Sequence, residues 1–261
     1  LSNTAIGLQS LKANTYGEGN TSVGYQSLLS NTVGHNNVAM GMYTLGLNTT
    51  GGSNTAIGEG SLSQNIIGAR NTALGRSTGN SITTGSNNTV IGYEADVPSG
   101  TASNQVRIGN ISVTYAGVQV AWTITSDRRW KQNILPSNLG LGFISKLNPV
   151  SYLRNNDESR KTEYGFIAQD VEKSLREEGV DNTGMITITD DGMYELRYND
   201  LLAPMVKAIQ ELKEENEKLK NDNTALISEI QKLKILEEKF SHLEKIVKDI
   251  SKRDNEIKEI K

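Results

Sequence analysis

An apolar residue followed directly by glycine recurs along the first part of the chain at a constant interval of 17 positions. The glycines of this series, each preceded by Ile, Val, Met or Leu, are Gly7, Gly24, Gly41, Gly58, Gly75, Gly92 and Gly109. Asparagine keeps the same interval from Asn3 to Asn88. Strict self-similarity at a short period is typical of a solenoid with one structural unit in each repeat.

A repeat of 17 residues is too short for a helical hairpin and suits two short strands with two turns. Gly and Asn accept the positive φ of tight turns, whereas Thr, Val and Ile suit strands. The pattern therefore predicts a β-solenoid or β-prism over 1–109. Each coil offers only a few core residues, such as Ala56, Ile57 and Leu62. Packing three chains about one axis would merge these small cores, although the spacing alone does not establish a trimer.

From Leu202 onward the apolar positions step by three and four residues, which is the spacing of a coiled coil. Asn216 and Asn223 occupy two of its core positions, where asparagine fixes register and oligomeric state. The pattern predicts a coiled coil over 201–261, and a single surface helix is the alternative. The apolar series is Met205, Ile209, Leu212, Leu219, Leu226, Ile230, Leu233, Phe240, Leu243, Val247 and Ile250.

The residues between the repeats and the coil have the mixed pattern of a small α+β domain. Residues 110–125 are rich in β-formers, and we expect one or two strands there that end the fibre. The other expected elements are a helix at 143–147 that stops before Pro149, a strand at 164–168, a helix at 169–178 closed by Gly179, and a hairpin of 185–189 with 193–198.

Composition divides the chain in the same way. Residues 1–126 hold 19 of the 25 glycines and only 8 charged residues, whereas Lys, Glu and Leu dominate from about Leu201. We therefore predict four segments: repeats at 1–109, a β-rich junction at 110–126, an α+β domain at 127–200 and the coil at 201–261. Because the chain opens with Leu1 inside a repeat, we expect it to be a fragment of a longer protein.

Several functional classes are disfavoured by composition. The net charge of −3 gives no basic field for nucleic acid. The chain has no cysteine, and its two histidines lie far apart, so we predict no metal site, disulfide or cofactor. No apolar run approaches the roughly 20 residues that span a bilayer, so no membrane span is predicted.

The junction ends in a possible catalytic pair, Ser126 and Lys131. A plain interpretation makes Ser126 and Asp127 a turn or helix cap. The chemical interpretation needs a turn, because a separation of five residues does not place two side chains on one helical face. A lysine in water has a pKa near about 10.4, so a lysine base needs burial, for example against Trp130, to become neutral.

The run from Ser126 to Ile134 resembles the start of the endosialidase-type intramolecular chaperone, a self-cleaving serine peptidase domain of phage tailspikes and tail fibres. The resemblance continues through Leu147–Tyr152, Tyr164–Glu172, Tyr198–Leu202 and Lys207–Leu212. The repeats themselves resemble the heads of trimeric autotransporter adhesins and similar repeats in phage tail fibres.

The resemblance implies that this domain folds the preceding β-structure as a homotrimer and is then cut off between Ser126 and Asp127. It implies Ser126 as nucleophile and Lys131 as its base, in a single-turnover endopeptidase that acts on no other substrate. Asp127 and Arg129 also match positions of the family and are expected to support the site. Trp130, where an aliphatic residue is expected, and Gln132 depart from its pattern.

The route of cleavage stays open at this point. A Ser126 hydroxyl attacking its own carbonyl would close a strained four-membered ring, and attack on the preceding carbonyl would cut before Ser126. A neighbouring subunit's hydroxyl, or a water activated by Lys131 with Ser126 assisting, would avoid both problems.

The resemblance places the protein in a phage virion, with a bacterial surface or secreted location as the alternative. The repeats would be a passive fibre shaft, or a surface that binds a host receptor or glycan. Two rival functions are a non-cleaving trimeric adhesin on a coiled-coil stalk and a glycan-degrading enzyme whose catalytic domain precedes residue 1.

Overall fold

The computed structural model describes residues 2–181 and 183–259, with side chains up to residue 251. The chain forms two compact units. One contains Leu1–Gln132, Asn148–Lys173 and Val180–Arg197, and the other contains Asn133–Leu147, Ser174–Gly179 and Tyr198–Lys261.

The repeat region is a β-solenoid of about six turns whose strands form one parallel sheet in chain order. Each strand residue lies opposite the residue 17 positions later, as Ala56 lies opposite Ala73. The periodic glycines and asparagines thus predicted the architecture correctly. The strands are β1 (Thr4–Ile6), β2 (Thr21–Val23), β3 (Val38–Met40), β4 (Thr55–Ile57), β5 (Thr72–Leu74), β6 (Thr89–Ile91) and β7 (Val106–Ile108).

The expectation of two strands in each repeat was wrong for the described residues, because each repeat contributes one strand of three residues. Turns complete the coil, and they contain leucines with positive φ, such as Leu45 (φ 50°) and Leu62 (φ 51°). A positive φ interrupts extended backbone, so these stretches cannot pair as a second sheet. The glycine spacing indicated the coil length but not how many sides of each coil would be strands.

The solenoid core is narrow. The middle residues of β2 to β6 are fully buried, and so are leucine or isoleucine side chains from the turns, including Ala56 and Leu62 as expected. The prediction for Ile57 was wrong, because its side chain is 38% exposed. Alternation along the strand explains this, since Ala56 points inward and Ile57 therefore points outward.

Buried asparagines form a ladder from coil to coil. The Oδ1 atom of Asn54 accepts the backbone N–H of Asn71 at 2.9 Å, and its Nδ2 atom donates to the carbonyl of Gly68 at 2.9 Å. The pattern repeats at Asn20, Asn37, Asn71 and Asn88. Each coil thereby satisfies buried polar groups of the next coil, which stabilises the stacking in one register.

The recurrent glycines allow neighbouring coils to approach closely. Gly58 has a φ of +126°, and a Cβ atom there would overlap the carbonyl of Gly75. Only glycine combines a favourable positive φ with the absence of a Cβ atom, which explains why glycine recurs in every repeat.

The remainder of the first unit contains two antiparallel strand pairs. Strand β8 (Val150–Tyr152) pairs with β9 (Glu163–Gly165), and β10 (Ile186–Ile188) pairs with β11 (Tyr194–Leu196) as the expected hairpin. The strands expected within 110–125 are absent from this described stretch, which contains turns and bends but no paired strand. Composition indicated extended backbone there, but β-formers alone do not provide a partner strand.

The predicted helices are present, and the coiled coil predicted for the last of them stays a prediction. Helix α1 spans Leu141–Lys146, α2 spans Ala168–Glu177, and α3 spans Leu202–Glu259, a helix of 58 residues. The Leu141 N–H donates to Glu211 Oε2 at 2.6 Å, which fastens α1 to α3. This bond, with a smaller effect of Lys207, holds the pKa of Glu211 below its usual value. None of the described helices combines the length and apolar character needed to cross a membrane.

Candidate cleavage site at Ser126

A tight turn follows Ser126 directly. Residues Arg128–Trp130 form a single turn of 3-10 helix, and Asp127 caps it by accepting the Arg129 N–H on Oδ1 at 2.9 Å. The Lys131 N–H donates to the Arg128 carbonyl at 3.1 Å and closes the turn. This local structure reverses the chain, so that residue 131 returns to the side of residue 126.

The turn brings together the two side chains predicted to be catalytic. The Nζ atom of Lys131 lies 2.6 Å from the Oγ atom of Ser126 and is its hydrogen-bond donor. This distance is within the reach of direct proton transfer between a nucleophile and its base. An ammonium group can only donate here, so the amine must lose a proton before it can accept the hydroxyl proton.

Asp127 and Arg129 form a bidentate ion pair beside the dyad. Arg129 donates from Nε to Oδ1 at 3.0 Å and from a terminal nitrogen to Oδ2 at 2.7 Å. These side-chain bonds, followed by the Arg129 backbone N–H, lower the pKa of Asp127. The same side-chain bond raises the pKa of Arg129. Asp127 therefore stays ionised and holds the turn closed.

The apolar cover expected around Lys131 is not formed within the single chain. Trp130 is 81% exposed, and Ile134 and Leu135 are exposed as well. Ser126 and Lys131 are themselves open to solvent. The dyad is assembled by local backbone structure, whereas its burial would need groups other than these neighbours.

One contact between the last coil and a later strand was missed by sequence reasoning. Arg107 of β7 donates two hydrogen bonds to Glu195 of β11, at 2.7 and 3.0 Å. The available signal was that Arg107 occupies a strand position that is small and uncharged in the preceding repeats. The pair connects the last coil with residues that follow Ser126.

No group of three or more His, Asp or Glu side chains that could hold a metal ion occurs among the described residues. The acidic side chains discussed above are engaged by arginine or by backbone N–H groups instead.

One known family matches the part of the chain that begins at the site. Residues 126–180 match the model of the family described as Chaperone of endosialidase. The match begins at Ser126 and includes the turn, α1, the β8–β9 pair and α2. The resemblance inferred from the motifs is thereby confirmed over these residues. Searches among curated proteins and among solved structures found no match.

Proposed function

We propose that the segment beginning at Asp127 is an intramolecular chaperone that assembles the repeats into a trimeric fibre and then separates from them by cleavage of the Ser126–Asp127 bond. The observation that carries the proposal is the 2.6 Å contact between Lys131 Nζ and Ser126 Oγ at the start of a segment that matches the chaperone family.

The exposed state of the dyad in one chain supports a role for assembly in switching on cleavage. A lysine acts as a base only through its neutral amine, which burial favours. Packing of further subunits around Trp130 and Leu135 would exclude water from the amine and favour its neutral form. Cleavage would then follow correct assembly instead of preceding it.

The solenoid surface supports association of several chains. One exposed column of apolar side chains runs along the strand ends, formed by Ile6, Met40, Ile57, Leu74, Ile91 and Ile108. A contiguous apolar column of this kind is typical of an interaction surface. A second and third copy of the solenoid would cover it and supply the core area that each narrow coil lacks.

Helix α3 also exposes a row of apolar side chains that other chains could cover. The side chains of its predicted heptad core are exposed in the single chain, as shown by Leu226 at 54% and Ile230 at 51%. A long helix with an uncovered heptad stripe is stable when it pairs with other helices. We infer that α3 trimerises first, because its contacts are local in sequence. It then brings the solenoids together in register, the slow step for β-structure.

We place the assembled protein in a phage tail fibre or tailspike, where the repeats serve as shaft or as a host-binding surface. The non-cleaving adhesin with a coiled-coil stalk is the second candidate, and the exposed heptad stripe favours it as much as it favours a chaperone. The two differ in one outcome, which is whether the backbone is cut.

Expression of the wild-type chain beside Ser126→Ala and Lys131→Ala tests the proposal. We expect two fragments from the wild type on a denaturing gel and one uncut band of 28.4 kDa from either variant. Ser112→Ala and Lys161→Ala change exposed residues of the same types and should be cut like the wild type. A wild-type trimer that folds and stays intact would favour the non-cleaving adhesin.

Mixed trimers test the route of cleavage. When wild-type and Ser126→Ala chains assemble together, attack by a neighbouring subunit's hydroxyl would cut some of the variant chains. Activation of water within each chain would leave every variant chain intact. Tagging the variant chain allows its fragments to be counted separately.

A further inference from the structure

Arg107 breaks the pattern of the solenoid core. It lies at the middle position of β7, opposite Val90 of β6. In β2 to β6, this position holds a small or apolar side chain that is fully buried, namely Ser22, Ala39, Ala56, Ala73 and Val90. An arginine in a middle coil would bury its charge between coils at high cost. The substitution is therefore tolerated only at the end of the stack.

Strand β7 is that end, because it is the last strand of the sheet. The Arg107 side chain is 25% exposed, and its Nε atom is buried. The terminal nitrogens of the guanidinium meet both carboxylate oxygens of Glu195. A bidentate arginine–carboxylate pair demands a defined position of both groups.

Two further hydrogen bonds join residues near the end of the solenoid to later residues of the first unit. The backbone N–H of Asp190, in the turn of the β10–β11 hairpin, donates to the Pro98 carbonyl at 2.7 Å. The Nδ2 atom of Asn156 donates to the Ile111 carbonyl. Both acceptors are backbone carbonyls, which any sequence offers. Of these contacts, the Arg107–Glu195 pair alone depends on the side chains of both partners.

We propose that Arg107 and Glu195 are a recognition pair by which the hairpin detects that the last coil has stacked in its correct register before the chain is cut. A slip of β7 by one residue would turn Arg107 to the opposite face of the sheet, out of reach of Glu195. Arg107 is therefore a positioning residue for the Ser126 turn, which follows it by 19 residues. This inference rests on the proposed function, since cleavage is the event that it controls.

The pair itself is tested in the uncut Ser126→Ala chain by amide hydrogen exchange. We expect Glu195→Gln to speed exchange at Asp190 and at 194–197 by at least about fivefold, because opening of the hairpin contact becomes easier. Arg107→Ala should act in the same way. Combining Arg107→Glu with Glu195→Arg should restore protection, since the reversed pair can form the same contact.

The link to cleavage is tested in chains that retain Ser126. We expect Glu195→Gln and Arg107→Ala to slow cleavage by at least about fivefold, and the reversed pair to restore most of the rate. Glu59→Gln is the matched control, because Glu59 pairs with Arg76 at 3.2 Å between two inner coils. It should leave both exchange at 194–197 and cleavage unchanged.

Each outcome decides the inference separately from the proposed function. Unchanged exchange in Glu195→Gln overturns the recognition pair, whatever the chain does at Ser126. If Glu195→Gln exchanges faster but is cleaved at the wild-type rate, the contact exists but does not control cleavage, and the inference is also overturned. If Glu59→Gln slows cleavage as much as Glu195→Gln does, the inference is overturned as well. A wild-type trimer that is never cut refutes the proposed function, while exchange still shows whether the pair exists.

Discussion

Lys131 donates a hydrogen bond from Nζ to Ser126 Oγ at 2.6 Å, although the two residues lie five positions apart. The intervening 3-10 turn produces this contact, and Asp127 caps that turn while binding Arg129. The residues on either side of the proposed scissile bond are thus parts of one local structure. Its stability should control the chemistry at Ser126.

The ion pair between Asp127 and Arg129 predicts a shifted titration. Because arginine hydrogen bonds lower the pKa of Asp127 in the folded chain, the pair stabilises the turn above the ordinary aspartate pKa of about 3.9. That contribution is lost as pH falls through the lowered value. In the Ser126→Ala chain, carbon NMR of the Asp127 carboxyl should show a pKa below the ordinary one.

Arg129→Gln should move this titration upward, because the largest cause of the shift is removed. Asp191 is the internal control, since its pKa is lowered chiefly by the Thr189 hydroxyl. It should titrate identically in both chains. If the pKa of Asp127 is the same with and without Arg129→Gln, the observed ion pair does not persist in solution.

The asparagine ladder predicts a large loss of stability in Asn54→Ala. The substitution leaves the buried N–H of Asn71 and carbonyl of Gly68 without their partner, at a cost of about 2–4 kcal/mol. Thermal or denaturant unfolding of the uncut chain measures it. Asn80→Ala, at an exposed position, should cost under about 0.5 kcal/mol. Equal losses in the two variants would contradict the ladder.

Gly58→Ala tests the close approach of the coils. The added Cβ would overlap the Gly75 carbonyl and would sit at a φ of +126°, so we expect about 3 kcal/mol or more of destabilisation. Gly192→Ala has positive φ as well but meets no atom within 4 Å, which separates conformational strain from overlap. A melting temperature of Gly58→Ala as high as that of Gly192→Ala would refute the steric argument.

The exposed heptad stripe of α3 predicts assembly. We expect three chains for the Ser126→Ala protein by sedimentation or light scattering, because the apolar stripe must be covered. Leu226→Glu combined with Ile230→Glu places charges in the core and should dissociate the assembly. Ser228→Glu lies at an outer heptad position and should not. A monomeric Ser126→Ala protein would rule out the trimer.

Much of this fold follows from spacing. The interval of 17 residues, the buried Ala56 and the helix beginning at Leu202 are all direct consequences of periodicity. The missing second strand was not predictable in this way. Leu45 and Leu62 suit an extended strand by composition, but both have positive φ in the folded coil.

The sequence predicted which residues form the site but not which groups surround them. Ser126 and Lys131 follow from a motif, and the structure brings their side chains together. The expected burial depended on Trp130, which is 81% exposed in the single chain. Arg107 was overlooked because its partner Glu195 lies 88 positions away, and no local pattern connects the two residues.

The most direct test is the intact mass spectrum of the purified wild-type protein beside Ser126→Ala. The wild type should give two species, one ending at Ser126 and one whose first residue is Asp127. The variant should give one species at the full mass. Wild-type protein that assembles yet shows no fragment beginning at Asp127, or a variant cut at the same bond, would contradict self-cleavage through the Ser126 hydroxyl.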